Sequence, residues 1–367
     1  MKKFSIFWFR RDIRLEDNIG LSHATKSKYP VIPIFIFDEK ITLNLPKNDT
    51  RINFIYKNLK KLDDLLFKKF NSKLQVFKGD PIDIINRIAK EYNVKEVYMN
   101  HDYEPYAIKR DSLICKNLNS NKIPLYTFKD QVIFEKNEVI KDDGSPYIVF
   151  TPYMRKWKET LKKNYLVLEH SELSNNFHNL NKYNLNEISE YGFEKNLSEV
   201  LNFDVSKKII EEYEKKRNFP SLNSTSKIGP FLRFGVISIR SLVKYVLKFK
   251  NDTFLNELIW REFFMQILFH FPNSSTNSFK SKYDNIKWVN DIKMFEAWKN
   301  GKTGFPIVDA GMNELNKTGF MHNRVRMITS SFLCKQLLID WRWGEKYFAL
   351  KLNDYEMSSN VGNWQWA

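Results

Sequence analysis

Nine tryptophans stand in this sequence, and seven of them fall in its last third: Trp260, Trp288, Trp298, Trp341, Trp343, Trp364 and Trp366. Arg261, Asn323, Arg324, Arg326, Asp354 and Asn360 are interleaved with them. Indole is a large flat ring that stacks on planar groups, sits well beside cations and gives up an electron readily. Such a cluster suits holding a planar ligand or passing single electrons, and it equally suits the core of an aromatic helical domain.

Two stretches sharpen the choice. Glu257, Trp260, Arg261 and Phe264 recur at helical spacings of three and four, which puts a carboxylate, an indole and a guanidinium on one face. That set can read the edge of a base and stack on its ring. Further on, Asn323 and Met327 are one turn apart, with Arg324 and Arg326 beside them to meet phosphates. The alternative for each is an amphipathic helix with a basic face.

Other chemistries find little support. Gly301-Lys302-Thr303 looks like the end of a phosphate-binding loop, but Glu296 stands where its upstream glycine belongs. The six histidines form no i,i+4 pair and no metal-like set with carboxylates, so no metal is expected. Cys115 and Cys334 carry no local signature of a nucleophile, and no GxSxG is present. The difficult chemistry therefore points to a bound cofactor.

The elements that must position these residues read in two styles. Phe4–Phe9, Val31–Phe37, Leu74–Phe77, Glu96–Met99 and Leu125–Phe128 are short apolar runs with the character of strands buried on both faces. Helix-period stripes lie between them, such as Ile52, Ile55, Leu59, Leu62, Leu65 and Leu66. The alternation predicts an α/β domain with a doubly wound parallel sheet over residues 1–128. No GxGxxG follows the first strand. Regularity fades over 129–204, which reads as a connector, and helical periodicity dominates from 205 to 367.

The chain has 367 residues and a formal net charge of +16, which favours a polyanionic partner through counterion release, nucleic acid first. Lysine is spread along the whole chain, so solvated faces account for part of that excess. No apolar run nears the ~20 residues of a membrane helix. Arg10 and Arg11 cut short the apolar run that opens the chain, and the two cysteines lie far apart, so a reducing cytoplasmic setting is expected.

Several long motifs, in one order along nearly the whole chain, resemble the photolyase/cryptochrome family. They are Phe7-Trp8-Phe9-Arg10-Arg11-Asp12-Ile13-Arg14-Leu15-Glu16-Asp17-Asn18, the block Thr225–Gly235, Glu257–Phe263, Gly304–Ala310, Gly319–Met327, and Asn360-Val361-Gly362-Asn363-Trp364-Gln365-Trp366. The resemblance is greatest to class I cyclobutane pyrimidine dimer DNA photolyases. It implies FAD in the helical domain, DNA containing pyrimidine dimers as partner, and a monomer. It also implies a second, antenna chromophore, a folate or a deazaflavin, against the N-terminal domain.

By that resemblance, Tyr213 and the loop Thr225, Ser226, Lys227, Ile228 and Gly229 contact the flavin phosphates and ribityl chain. Asp354, Tyr355 and Glu356 face its ribose and adenine end, and Asn360 faces flavin N5. Trp364, Trp341 and Trp288 align with an electron-hopping chain. Glu257, Trp260, Arg261, Asn323 and Met327 match the pattern that receives a flipped dimer, with Arg217 and Arg324 at the cavity mouth. Histidine pairs serve (6-4) photoproduct repair, and Asn323 follows His322 here, which disfavours that activity. The implied function is light-driven dimer repair by electron transfer from reduced FAD, and the alternative is a cryptochrome-like photoreceptor without repair. Three departures stand out: Gly229 where the loop often has serine, Ala107 where folate binders have a carboxylate, and an end at Ala367 where relatives continue for several helices.

Overall fold

The computed structural model describes residues 2–168, 170–180 and 183–366; Met1, Glu169, Asn181, Lys182 and Ala367 lie outside them. The chain forms two compact units that interleave along the sequence. The first comprises Met1–Ile133, Asn164–Leu197 and Phe234–Lys244, and the second comprises Phe134–Lys163, Ser198–Arg233 and Tyr245–Ala367.

The first unit is built on a parallel sheet of β1 (Phe4–Phe9), β2 (Val31–Asp38), β3 (Gln75–Gly79), β4 (Val94–Asn100) and β5 (Leu125–Phe128), in the order β3-β2-β1-β4-β5. Side chains alternate between faces with period two. Phe7, Phe9, Phe35, Phe37 and Val76 enter one core, shared with Ile52, Leu59, Leu62 and Leu66 of α1 (Thr50–Phe70). Ile6, Trp8, Ile34, Ile36 and Met99 enter the other, under Ile84, Ile85 and Ile88 of α2 (Pro81–Glu91) and Ile114 and Leu118 of α3 (Pro105–Ser120). Both faces are thus covered, as a doubly wound fold requires. β1 and β2 are buried throughout, but β5 is half-exposed, because an edge strand has a neighbour on one side only.

The direction of winding reverses between β1 and β4, and past their carboxyl ends lies a buried polar network. Arg14 donates twice to the Asp130 carboxylate at 2.8 Å. Arg240 bonds both Asp130, at 2.9 Å, and Asp17, at 3.1 Å. Asp12 accepts from the Arg10 backbone N–H at 2.6 Å and from Asn100 Nδ2 at 2.5 Å. Burial acts to raise the Asp130 carboxyl, but Arg14 and Arg240 outweigh it and hold the group below the usual carboxylate range. Burial raises Asp12, and the neighbouring charge of Asp130 adds to the shift.

The second unit is helical. Its centre is α5 (Asp252–His270), whose buried residues lie all round it, the pattern of a helix packed on every side. Asn251 caps its start by accepting from the Thr253 N–H at 2.8 Å. Glu262, Gln266 and His270 form a polar line along it at four-residue steps. The Glu262 carboxylate accepts from the Phe134 N–H at 2.9 Å and from Trp157 Nε1 at 2.5 Å. Gln266 donates to the Tyr147 carbonyl at 2.7 Å, and the His270 ring lies 3.2 Å from the Lys136 carbonyl.

That line holds the stretch leading into α4 (Phe150–Lys163), a helix inside the segment that the sequence reads as an irregular connector. Tyr153, Trp157 and Leu161 are buried at i, i+4 and i+8, a stripe too narrow to stand out among the lysines around it. A second core gathers Trp298, Met312, Leu315, Val325, Leu333, Phe348 and Trp364 from α6 (Pro306–Thr318), α7 (Asn323–Lys335), α8 (Trp341–Lys351), α9 (Met357–Gln365) and the helix before them.

Candidate functional site

A cavity of about 620 Å³ opens in the helical unit. α7 contributes Asn323 and Met327, one turn apart on the same face. His322 caps that helix, its Nδ1 accepting from the Arg324 N–H at 3.1 Å. The turn between α8 and α9 contributes Asp354, Tyr355 and Glu356, and α9 contributes Asn360 and Trp364, again one turn apart.

The two carboxylates of this cavity, Asp354 and Glu356, each meet arginine. Arg326 donates to Asp354 Oδ2 at 3.0 Å, while Asp354 Oδ1 is buried without a partner among the described residues. A buried acceptor left unmet costs about 1–3 kcal/mol, so a donor brought by a ligand would relieve it. Glu356 is buried between two guanidiniums, Arg233 at 3.3 Å and Arg261 at 3.8 Å. Asn360 Nδ2 donates to Glu345 Oε1 at 2.9 Å. Burial raises the Glu345 carboxyl, and the hydrogen bond from Asn360 opposes that shift.

Gly229 and Gly344 mark close approaches. A Cβ on Gly229 would stand 2.8 Å from Asp354 Cβ, so a serine at this position would displace the carboxylate that lines the cavity. A Cβ on Gly344 would lie 2.2 Å from the tip of the Trp364 indole. That indole also meets Phe348, with centroids at 5.1 Å, and Trp298, at 6.4 Å. Trp341 is buried in the same core and Trp288 packs against it half-buried; neither lines the cavity.

A second grouping stands apart from the cavity lining. Arg217 forms an ion pair with Glu257 and lies 5.8 Å from the Tyr213 ring. Burial, then the charge of Glu257, pushes the Tyr213 hydroxyl up to about 12. Arg324 connects the groups: its Nε donates to Asn218 Oδ1 at 2.8 Å and its Nη1 lies 3.3 Å from Met327 Sδ. Trp260 carries Phe150 stacked on its ring. Ile228 is buried, and Lys227 adopts a positive φ of 52° that turns the loop toward Gly229. The Lys227 ammonium bonds Asn223 at 2.7 Å and the Ser226 carbonyl accepts from the Asp204 N–H at 2.9 Å. Thr225, Ser226, Lys227 and Ile228 are not among the cavity's lining residues.

Sequence reasoning missed Glu345 and Phe150. Glu345 is fifteen residues from Asn360 on another helix, and no local pattern links them. Phe150 opens α4, a helix within the stretch that the sequence reads as a connector.

Among the described residues no group of three or more His, Cys, Asp or Glu gathers as a metal site, and no helix is long and apolar enough to cross a membrane. In the first unit, a cavity of about 10 Å³ lies among Arg10, Arg11, Asp12, Asn100, His101, Asp102, Asp130 and Gln131. It has room for about one water, so a folate or deazaflavin does not fit there. Arg10 is held by Asp111 at 2.7 Å and Arg11 by Asp102 at 3.1 Å.

Residues 5–172 match the family model of DNA photolyase, and residues 254–367 match that of the FAD binding domain of DNA photolyase. The deoxyribodipyrimidine photo-lyase of Alkalihalophilus pseudofirmus is 35% identical over 384 residues, covering 98% of this chain and 79% of the relative. That of Escherichia coli is 31% identical, covering 99% and 81%. Among solved structures, a class III photolyase from Agrobacterium tumefaciens is similar with a TM-score of 0.87 and 31% identity, over 100% of this chain and 80% of the other. An archaeal photolyase from Sulfolobus tokodaii, solved with two FAD molecules, gives 0.84 and 34%, over 99% and 82%. A Synechocystis cryptochrome gives 0.86 and 26%, over 100% and 82%.

The helical cavity fits the group that the second family model describes. Its volume lies in the range of about 300–1,000 Å³ usual for ligand pockets, and the spare oxygen of Asp354 beside Arg326 offers both an acceptor and a cation to a nucleotide. Fold, motifs and cavity agree with both family models and with relatives matched along about four-fifths of their length: the chain belongs to the DNA photolyase family.

Proposed function

We propose that this protein repairs cyclobutane pyrimidine dimers in DNA, using light. The observation that carries the reading is the convergence on one cavity of Asn323 and Met327 with Asp354, Glu356, Asn360 and Trp364. Substrate-facing and cofactor-facing types thus share a single space.

Bound and reduced, FAD supplies the electron that, under blue or near-UV light, opens the dimer's cyclobutane ring and is regained when the ring has split. The residues of this chain do the rest. Asp354, through Oδ1, and Arg326 would hold the polar end of the cofactor; Glu356, fixed by Arg233 and Arg261, shapes the same wall. Asn360, its amide nitrogen anchored on Glu345, would face the ring system. Tyr213 and the loop Thr225, Ser226, Lys227, Ile228 and Gly229, outside the cavity lining, would reach the cofactor's phosphates from beside it.

Trp288 at the half-buried edge, with Trp341 and Trp364 in the core, offers oxidisable rings along a path for electrons. Glu257 accepts hydrogen bonds from the base edges once Arg217 turns to a phosphate. Trp260 and Met327 give the flipped dimer its apolar contacts. Asn323, Arg261 and Arg324 complete the recognition. The net charge of +16 draws in the duplex. This scheme needs no antenna chromophore.

The test is near-UV irradiation of the reduced, FAD-loaded protein with an oligonucleotide carrying one thymine dimer. Light-dependent loss of the dimer is expected, together with tighter binding to the damaged strand. FAD bound, with no repair and equal affinity for damaged and undamaged DNA, would turn the assignment to a photoreceptor.

A further inference from the structure

The Phe150 ring lies face to face on the Trp260 indole, with centroids 3.6 Å apart and planes 5° from parallel. Aromatic pairs left to themselves settle into offset or edge-to-face geometries with wider centroid separations. So full an overlap must be imposed by the surroundings, and these are visible. The Phe263 ring meets both partners edge-on, Phe150 at 5.8 Å and 80°, Trp260 at 5.5 Å and 84°. On the same helix Phe264 lies 5.4 Å from the indole at 29°.

The backbone that delivers Phe150 is pinned on both sides. Gln266 holds the Tyr147 carbonyl at 2.7 Å, three residues before it, and Glu262 holds Trp157 Nε1 at 2.5 Å, seven residues after it. Tyr153, one turn into α4, packs on Phe263 at 5.4 Å. Trp260 itself keeps part of its surface open to solvent, while Ile148 and Val149, just before Phe150, are exposed. One indole face is therefore occupied by a ring of the protein.

We propose that Phe150 is a positioning residue for dimer recognition: stacked on Trp260, it locks the indole so that the remaining surface is preset for the flipped base pair. The assignment rests on the reading that Trp260 receives the dimer. Preorganisation of this kind tightens binding to the damaged strand and leaves ring splitting, once the dimer is bound, unchanged. The rival role is a placeholder that the incoming base must push aside. It predicts the opposite sign.

Kd for a dimer-containing and for an undamaged oligonucleotide should be measured with the FAD-loaded full chain, as parent, Phe150→Ala and Phe150→Tyr. The expected result is a threefold to tenfold weaker Kd for the damaged strand in Phe150→Ala, the scale of one aromatic pair. Undamaged DNA, the flavin spectrum and repair per absorbed photon at saturating substrate should not change, and Phe150→Tyr should restore affinity. Unchanged or tighter damaged-strand binding in Phe150→Ala overturns the proposal, as does equal weakening for both strands. A parent without preference for the dimer overturns the functional reading instead, and this inference with it. Should the alanine variant fold poorly, Phe150→Leu keeps the apolar volume while removing the flat ring, and the same loss is expected.

Discussion

Both units bury arginine against carboxylates, but they finish the pairing differently. In the first unit Arg14 and Arg240 saturate Asp17 and Asp130, and Asp12 is met by a backbone N–H and Asn100. None of these side chains has a buried nitrogen or oxygen without a partner among the described residues. In the helical unit Arg326 meets one oxygen of Asp354 and leaves the other unmet at a cavity wall. A closed network holds a fold together, whereas an open valence waits for a ligand. The same residue types thus serve architecture in one place and binding in the other.

The strongest way to break that contrast is Arg240→Met. It leaves Asp17 and Asp130 buried with too little positive charge, and the side chains involved are 2% exposed or less. The expected loss is about 3–5 kcal/mol of stability, read by denaturant unfolding followed by circular dichroism. A loss under about 1 kcal/mol would mean that the network is dispensable.

Acid tests the same network through its protons. Asp130 keeps its charge in the folded state below the ordinary carboxylate range, so its contribution is full above the unfolded value of about 4 and drains away as the pH falls below it. Asp12 acts in the opposite sense: its raised folded value makes ionisation unfavourable as pH rises past about 4. Unfolding free energy measured from pH 7 to pH 3 should fall steeply only at the acid end. Arg240→Met should flatten that limb.

On the open side, Asp354→Asn should leave global stability within about 1 kcal/mol, since its pair with Arg326 is 23% exposed on each side. The expected effect is on FAD, with Kd weakened about tenfold, or ~1.4 kcal/mol, by flavin fluorescence titration. Retention of FAD with parental affinity would remove Asp354 from the binding set. The smallest effect is expected from Gly229→Ala, whose added methyl crowds Asp354 from 2.8 Å. Overpacking of this size costs about 1 kcal/mol, visible as a few-fold weaker FAD affinity.

The sheet is legible in the sequence because each strand is a compact apolar run; all five runs lie within two residues of the observed strand at each end. The cavity walls are legible where lining residues are neighbours on one helix, as Asn323 with Met327 and Asn360 with Trp364. What escaped were partnerships across long separations. Arg240 reaches Asp17 over 223 residues, and Phe150 reaches Trp260 from a helix whose buried stripe is only Tyr153, Trp157 and Leu161. Nothing in a linear pattern states such pairings, since burial and charge balance decide them only after the chain has folded.

The contact at Gly344 carries a consequence on the timescale of descent. With the indole tip of Trp364 2.2 Å from where a methyl would stand, position 344 accepts a hydrogen atom only while that tryptophan remains. A lineage that first shrinks the ring can then admit alanine beside it. From there the tryptophan cannot return in one step, so mutation at these two sites works as a ratchet away from the packed indole.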